Sequence, residues 1–156
     1  MTSLPSTSTA SSRKPSRAEF EAQTRAEILR RVKLYHHCAT SDRFRAAQIR
    51  LCRSQGPKYF IDNFVWTYDP RTERKKYPLK MFQRQREFID WLDDLKKEND
   101  RGHCDKSRDQ GATWLMVAHA VFYFLFEPAF IARFGSITES KVDDFTPDSI
   151  LGKARY

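Results

Sequence analysis

At 156 residues, with 40% hydrophobic and 13% aromatic content, the chain has room for about one domain and enough apolar mass to bury a core. Its formal net charge of +8 is uneven: residues 1–80 hold 17 Lys/Arg against 7 Asp/Glu, and residues 81–156 hold 11 against 13. A basic front half suits a polyanion such as nucleic acid; a solvated, charge-rich helical surface is the other reading.

Cys38, Cys52 and Cys104 are widely spaced with no CxxC pair, which argues against a disulfide framework or a zinc module and for reduced thiols in an intracellular compartment. His36-His37-Cys38 is a tempting ligand cluster, but adjacent helical residues point in different directions. Residues 1–16 are polar, rich in Ser, Thr and Pro, and lack the apolar segment of a secretory signal. They read as a disordered tail, a transit peptide being the compositional alternative.

Ser16-Arg17-Ala18-Glu19 has the spacing of a capping box, and a helix is expected from there to about His37. A second basic helix is expected from Ser41 to about Arg53, ended by Gly56-Pro57. Tyr59 to Arg71, aromatic and β-branched, reads as a short strand or extended packing segment, with a basic loop from Arg71 to Lys76. Interleaved aromatics and cations suit either core packing or a platform for single-stranded nucleic acid.

Apolar residues at three- and four-residue steps (Phe82, Gln85 in the same stripe, Phe88, Ile89, Leu92, Leu95) predict an amphipathic helix from Met81 to about Asn99, followed by a turn to Gly102. His103 to Lys106 is expected as a short strand, Ala112 to about Glu127 as a buried helix, and Phe130 to Phe134 as a second strand. Residues 114–126 are an apolar run of 13, short of the roughly 20 needed to span a bilayer. Phe145-Thr146-Pro147-Asp148 reads as a helix start. Alternating strands and helices predict an α/β fold, with residues 1–16 as tail and 17–56 as a basic helical region before it.

Between the expected strand and the buried helix lies Lys106-Ser107-Arg108-Asp109-Gln110-Gly111-Ala112-Thr113-Trp114. A loop that cradles phosphate needs backbone N–H groups aimed at the anion, a glycine for close approach and a helix N-terminus behind it. Gly111, Ala112 and Thr113 before an apolar helix meet those needs. Aligned on Gly111 and Thr113, however, the pattern GxxxxGK[ST] has Lys106 in place of its first glycine and Ala112 in place of its lysine. Lys106 or Arg108 can restore the missing positive charge from the front of the loop. An ordinary turn with a weak Arg108-Asp109 surface pair is the alternative.

This string resembles the deviant ATP-binding loop of the large subunit of tailed-phage terminases, which takes the form SRxxGxS/T-W. YFIDNFVWTYDPR (59–71) resembles a segment upstream of that family's ATPase core, and Pro78-Leu79-Lys80-Met81-Phe82-Gln83 resembles its adenine-recognising glutamine motif. Gly135-Ser136, Val142-Asp143, Thr146 to Ser149 and Lys153 to Arg155 resemble the stretch after its second strand. The likeness covers roughly residues 57–156, with the motifs in the family's order.

The resemblance implies an incomplete P-loop NTPase-type parallel sheet preceded by the basic helical region, with ATP and Mg2+ as cofactors. Gln83 would contact adenine, with Gln85 as substitute. Ser107, Gln110, Gly111, Ala112 and Thr113 would face the phosphates, and Thr113 would also bind Mg2+. Lys106 and Arg108 would act in catalysis. It further implies a motor packaging double-stranded DNA, active as a homo-oligomeric ring in the host cytoplasm while docked on the capsid. The implied partners are a capsid portal and a small terminase subunit.

The sequence departs from the family at Arg101 to Asp105, too polar for a central strand, and at Ile137 to Ser140, where basic residues are usual. Only 43 residues follow Thr113, without an apolar strand ending in Asp-Glu; Val142-Asp143-Asp144 is the nearest approach. The expectation is therefore a front part of a longer ATPase and endonuclease, cut before its hydrolytic and nuclease machinery and inactive alone. Its exposed apolar surface near residues 114–126 would limit solubility. A non-enzymatic nucleic-acid-binding adaptor, or an inactive gene fragment, is the alternative.

Overall fold

The computed structural model describes residues 16–70, 75–105 and 110–156. Helix α1 spans Arg17–Thr40 and begins with the expected capping box: the Glu19 amide donates to Ser16 Oγ at 3.3 Å, and the Ser16 amide donates to Glu19 Oε2 at 2.7 Å. Ser41 then ends one helix and starts the next. Its amide donates to the His37 carbonyl, while its hydroxyl accepts from the Phe44 amide. The chain therefore turns on a single residue, and α1 lies against α2, Asp42–Phe64.

Gly56-Pro57 was expected to stop the second helix, but it bends it instead. Gly56 takes a φ of +75°, which a glycine adopts without a Cβ clash, and Pro57 resumes the helix with its side chain buried. Residues 59–64 are consequently helical rather than extended. Phe60 and Phe64, four apart, share one face with ring centroids 6.0 Å apart, and Ile61 is fully buried. The helical period outweighed the β-propensity of the individual aromatics.

Two short strands follow, β1 (Trp66–Tyr68) and β2 (Lys76–Pro78), paired antiparallel with Trp66 opposite Pro78 and Tyr68 opposite Lys76. Helix α3 (Gln83–Glu98) ends at Asn99 in the left-handed conformation, as the predicted turn requires. Helix α4 (Ala112–Phe126) packs against α2 and α3. Two short helices, α5 (Glu139–Val142) and α6 (Ile150–Arg155), close the described structure, with α6 resting on α4. Among the described residues no helix is long and apolar enough to cross a membrane.

The predicted α/β architecture with a parallel sheet is not what forms. The described residues contain helices and a single two-stranded antiparallel ribbon. The reason is legible in burial. A central parallel strand is covered on both faces and needs a nearly continuous apolar run. Residues 101–105 are polar and exposed, with no regular structure, and Lys106 lies outside the described residues. Residues 130–134 are likewise irregular, with Ile131 76% exposed.

Ile61, Leu79, Met81, Ile89, Leu115 and Ala118 form a common core, flanked by Phe60, Val65, Phe88 and Leu92. Arg31 sits beside it with no solvent exposure. Its guanidinium donates to Glu27 Oε1 at 2.8 Å, to the carbonyls of Asp62 (2.8 Å) and Leu79 (3.0 Å), and to that of Val65. One planar fork thereby joins α1, the end of α2 and the segment after β2, with every donation matched to an acceptor.

Candidate functional site

Helix α3 begins without a side-chain cap from Phe82 itself. Gln85 supplies one: its Oε1 accepts from the Phe82 amide at 3.3 Å. The other end of the same carboxamide crosses to the residue before the N-cap of α4, Nε2 donating to the Gln110 carbonyl at 3.0 Å. Gln85 is 9% exposed, so both bonds are made away from bulk water.

Gln110 is followed by Gly111, whose φ of +73° lies in the left-handed region. The Gly111 carbonyl accepts the first α-helical bond of α4, from Leu115 at 3.1 Å. The amides of Ala112, Thr113 and Trp114 precede that bond and have no acceptor within the helix, and among the described residues no side chain caps the turn. Amides left without a cap among the described residues, at the positive end of a 15-residue helix, suit an anion. Ala112 is buried, while Thr113 and Trp114 are half-buried.

The structure thus gathers Gln110, Gly111, Ala112 and Thr113 into one turn beside α3. Gln83 lies on the exposed first turn of α3, its Nε2 donating to Glu87 Oε1 at 3.2 Å, and next to it Phe82 is 51% exposed. It is Gln85, not Gln83, that reaches the turn. Lys106, Ser107 and Arg108 lie outside the described residues. The signal for Gln85 was in the sequence: it sits four residues from both Met81 and Ile89, on the buried stripe of α3. A polar residue on such a stripe has to find partners.

The acids nearest the expected hydrolytic role are committed elsewhere. Asp143 is held by a two-point contact from Arg155, which pulls its carboxyl down to about 2. Asp144 accepts from the amide and hydroxyl of Thr146 at 2.9 and 2.8 Å. Among the described residues no group of three or more His, Cys, Asp or Glu side chains is arranged to hold a metal ion. Thr113, the expected magnesium ligand, is half-buried in the first turn of α4.

Neither of two cavities lies on this turn, and the larger is at the far end of α4. One of about 120 Å³ is walled by Phe60, Trp66, Trp114, Lys153 and Tyr156, and one of about 380 Å³ opens between Arg53 and the end of α4. Cys52 is buried, its thiol pushed up to about 11 chiefly by desolvation, and Cys38, Cys52 and Cys104 are all unpaired.

Comparison with protein-family models, with curated proteins and with solved structures found no match.

Proposed function

We propose that this chain is the N-terminal part of a viral terminase large subunit and that the turn at Gln110 to Thr113 binds the phosphates of ATP. Support comes from the ordered resemblance of residues 57–156 to that family. The observation that carries the reading is the Gln85–Gln110 bond, which seats the glutamine-motif helix against the start of α4, whose first amides have no capping side chain among the described residues. In this reading Gln83 meets the base, and Lys106 and Arg108 neutralise the outer phosphates. Thr113 meets Mg2+ carried by the nucleotide. The whole protein would be an ATP-driven motor and nuclease acting on double-stranded DNA at a capsid portal, with a small terminase subunit as partner.

Calorimetric titration of the chain with ATP in the presence of Mg2+ tests the nucleotide site directly. Saturable binding, weakened severely by Arg108→Ala or Lys106→Ala, is expected. No heat at millimolar ATP would remove the reading.

A second reading is favoured by a separate observation. Arg25, Lys33, Arg43, Arg50 and Arg53 stand exposed on α1 and α2 without an acidic partner among the described residues. That surface suits nucleic-acid phosphates, and a non-enzymatic adaptor would use nothing else. Its binding should fall steeply with salt, ignore ATP and survive deletion of residues 100–156.

A further inference from the structure

We propose that Gln85 is a positioning residue that makes the base end and the phosphate end of the nucleotide site a single unit, an inference that rests on the ATP-binding reading above. The side-chain amide supplies what its place requires. One end must accept from the Phe82 amide and the other must donate to the Gln110 carbonyl. A carboxylate lacks the donor, and a thioether lacks the donor and accepts only weakly.

The fit is tight. A Cβ added at Gly111 would stand 3.1 Å from Gln85 Nε2, so the left-handed turn and the amide occupy matched spaces. Gln83 lies two residues before Gln85, and the first amides of α4 begin two residues after Gln110. A shift of either helix start that keeps the bond therefore carries both ends of the site together. Loss of the bond frees the Gln110 carbonyl and lets the turn sample geometries in which its amides no longer converge. The same nucleotide would then meet a less organised phosphate end, whatever its base contacts.

The two ends are separable with two probes. ATP carries both a base and phosphates, and inorganic tripolyphosphate carries phosphates alone. The 156-residue chain and its Gln85→Met variant are titrated with each, after melting curves show that both are folded. Expected is a loss of about tenfold in affinity for both probes, the scale of one buried hydrogen bond.

A loss confined to ATP would mean that Gln85 touches the base rather than the turn, and no loss for either probe would mean that the bond is idle; both overturn the proposal. A wild-type chain that binds neither probe would instead overturn the nucleotide reading itself. Should Gln85→Met fail to fold, Gln85→Asn serves in its place, since it keeps the amide but is one methylene too short to span both partners. Amide exchange at residues 111–113, faster in the variant while residues 88–95 are unchanged, is the ligand-free readout.

Discussion

His119 Nε2 meets Asp93 Oδ1 across 2.7 Å, and the same carboxylate oxygen accepts the Tyr123 hydroxyl at 2.9 Å. Two residues one turn apart on α4 are thus held by one acid of α3. The contact continues outward through Lys96, which lies 4.2 Å over the Tyr123 ring and pairs with Glu127 at 2.6 Å. His119 is 9% exposed, so its ring has little access to water as a substitute partner.

Asp93→Ala should therefore cost about 1–3 kcal/mol, because it leaves two largely buried donors without an acceptor. Asp93→Asn, which keeps an oxygen in place, should cost less. Urea unfolding of the two variants measures this. Equal midpoints for wild type and Asp93→Ala would mean that α3 and α4 are held by apolar packing alone.

Arg31→Met should be more damaging. It removes a fully buried cation with its bonds to three carbonyls and Glu27; Glu27 and the Asp62 carbonyl keep Arg30 and the Val65 carbonyl keeps the Leu79 amide, so the cost is that of the lost charge-assisted bonds, about 3–5 kcal/mol together. Arg31→Lys should rescue little, since an ammonium cannot reproduce the planar fork. A chain that melts unchanged with Met at this position would show that the carbonyls find other donors.

Acid should loosen the same region. Arg30 first, and Arg31 after it, draw the Glu27 carboxyl down to about 2 against an opposing desolvation. A folded pKa below the unfolded one, ~4.3, means that the stabilisation is present above that value and is lost as pH falls towards 2. Asp93 is also lowered: burial acts to raise it, but the bonds from His119 and Tyr123 prevail, so it adds to the loss in the same direction. Stability measured from pH 6 to pH 2 should fall, and Glu27→Gln should flatten the fall. An unchanged slope in that variant would assign the acid sensitivity elsewhere.

Gly111→Ala should weaken ATP binding more than it weakens the fold. The left-handed φ costs a non-glycine residue about 1–2 kcal/mol, and the new methyl would crowd Gln85. Binding titration beside a melting curve separates the two effects. Equal ATP affinity in the variant would place the phosphates away from this turn.

Self-association should be reduced by Phe124→Lys with Leu125→Lys. These side chains are 69% and 55% exposed at the end of α4, on a helix otherwise buried along much of its length. Sedimentation of the double variant should show less concentration dependence than wild type, with little change in melting temperature. Unaltered association would direct attention to Phe20, Leu29 and Val32, exposed on α1.

Several elements could be read from residues that act over one or two helical turns. The Ser16–Glu19 box started α1 as expected, because both of its bonds lie within four residues. The α3 stripe and the apolar run of α4 were equally legible, and so was the exposed apolar surface near the end of α4. The candidate site was legible only in part. Gly111 announced a special turn, but nothing in the sequence pairs that turn with Gln85, whose carboxamide reaches it across 25 positions.

What the sequence determined by itself, then, was local: the capped helix starts, the amphipathic period of α3, the apolar α4 and a glycine where the chain needs a positive φ. These follow from backbone sterics and side-chain spacing within a few residues. Tertiary structure decided the rest. It made Gly56-Pro57 a bend and Tyr59 to Phe64 a helix, and it left the expected strands at 103–106 and 130–134 unformed among the described residues. It buried Arg31 among carbonyls up to 48 positions away and set Gln85 on Gln110 across 25. Those outcomes turn on which distant groups become neighbours, since a buried polar group or a strand is stable only when its partner is in place.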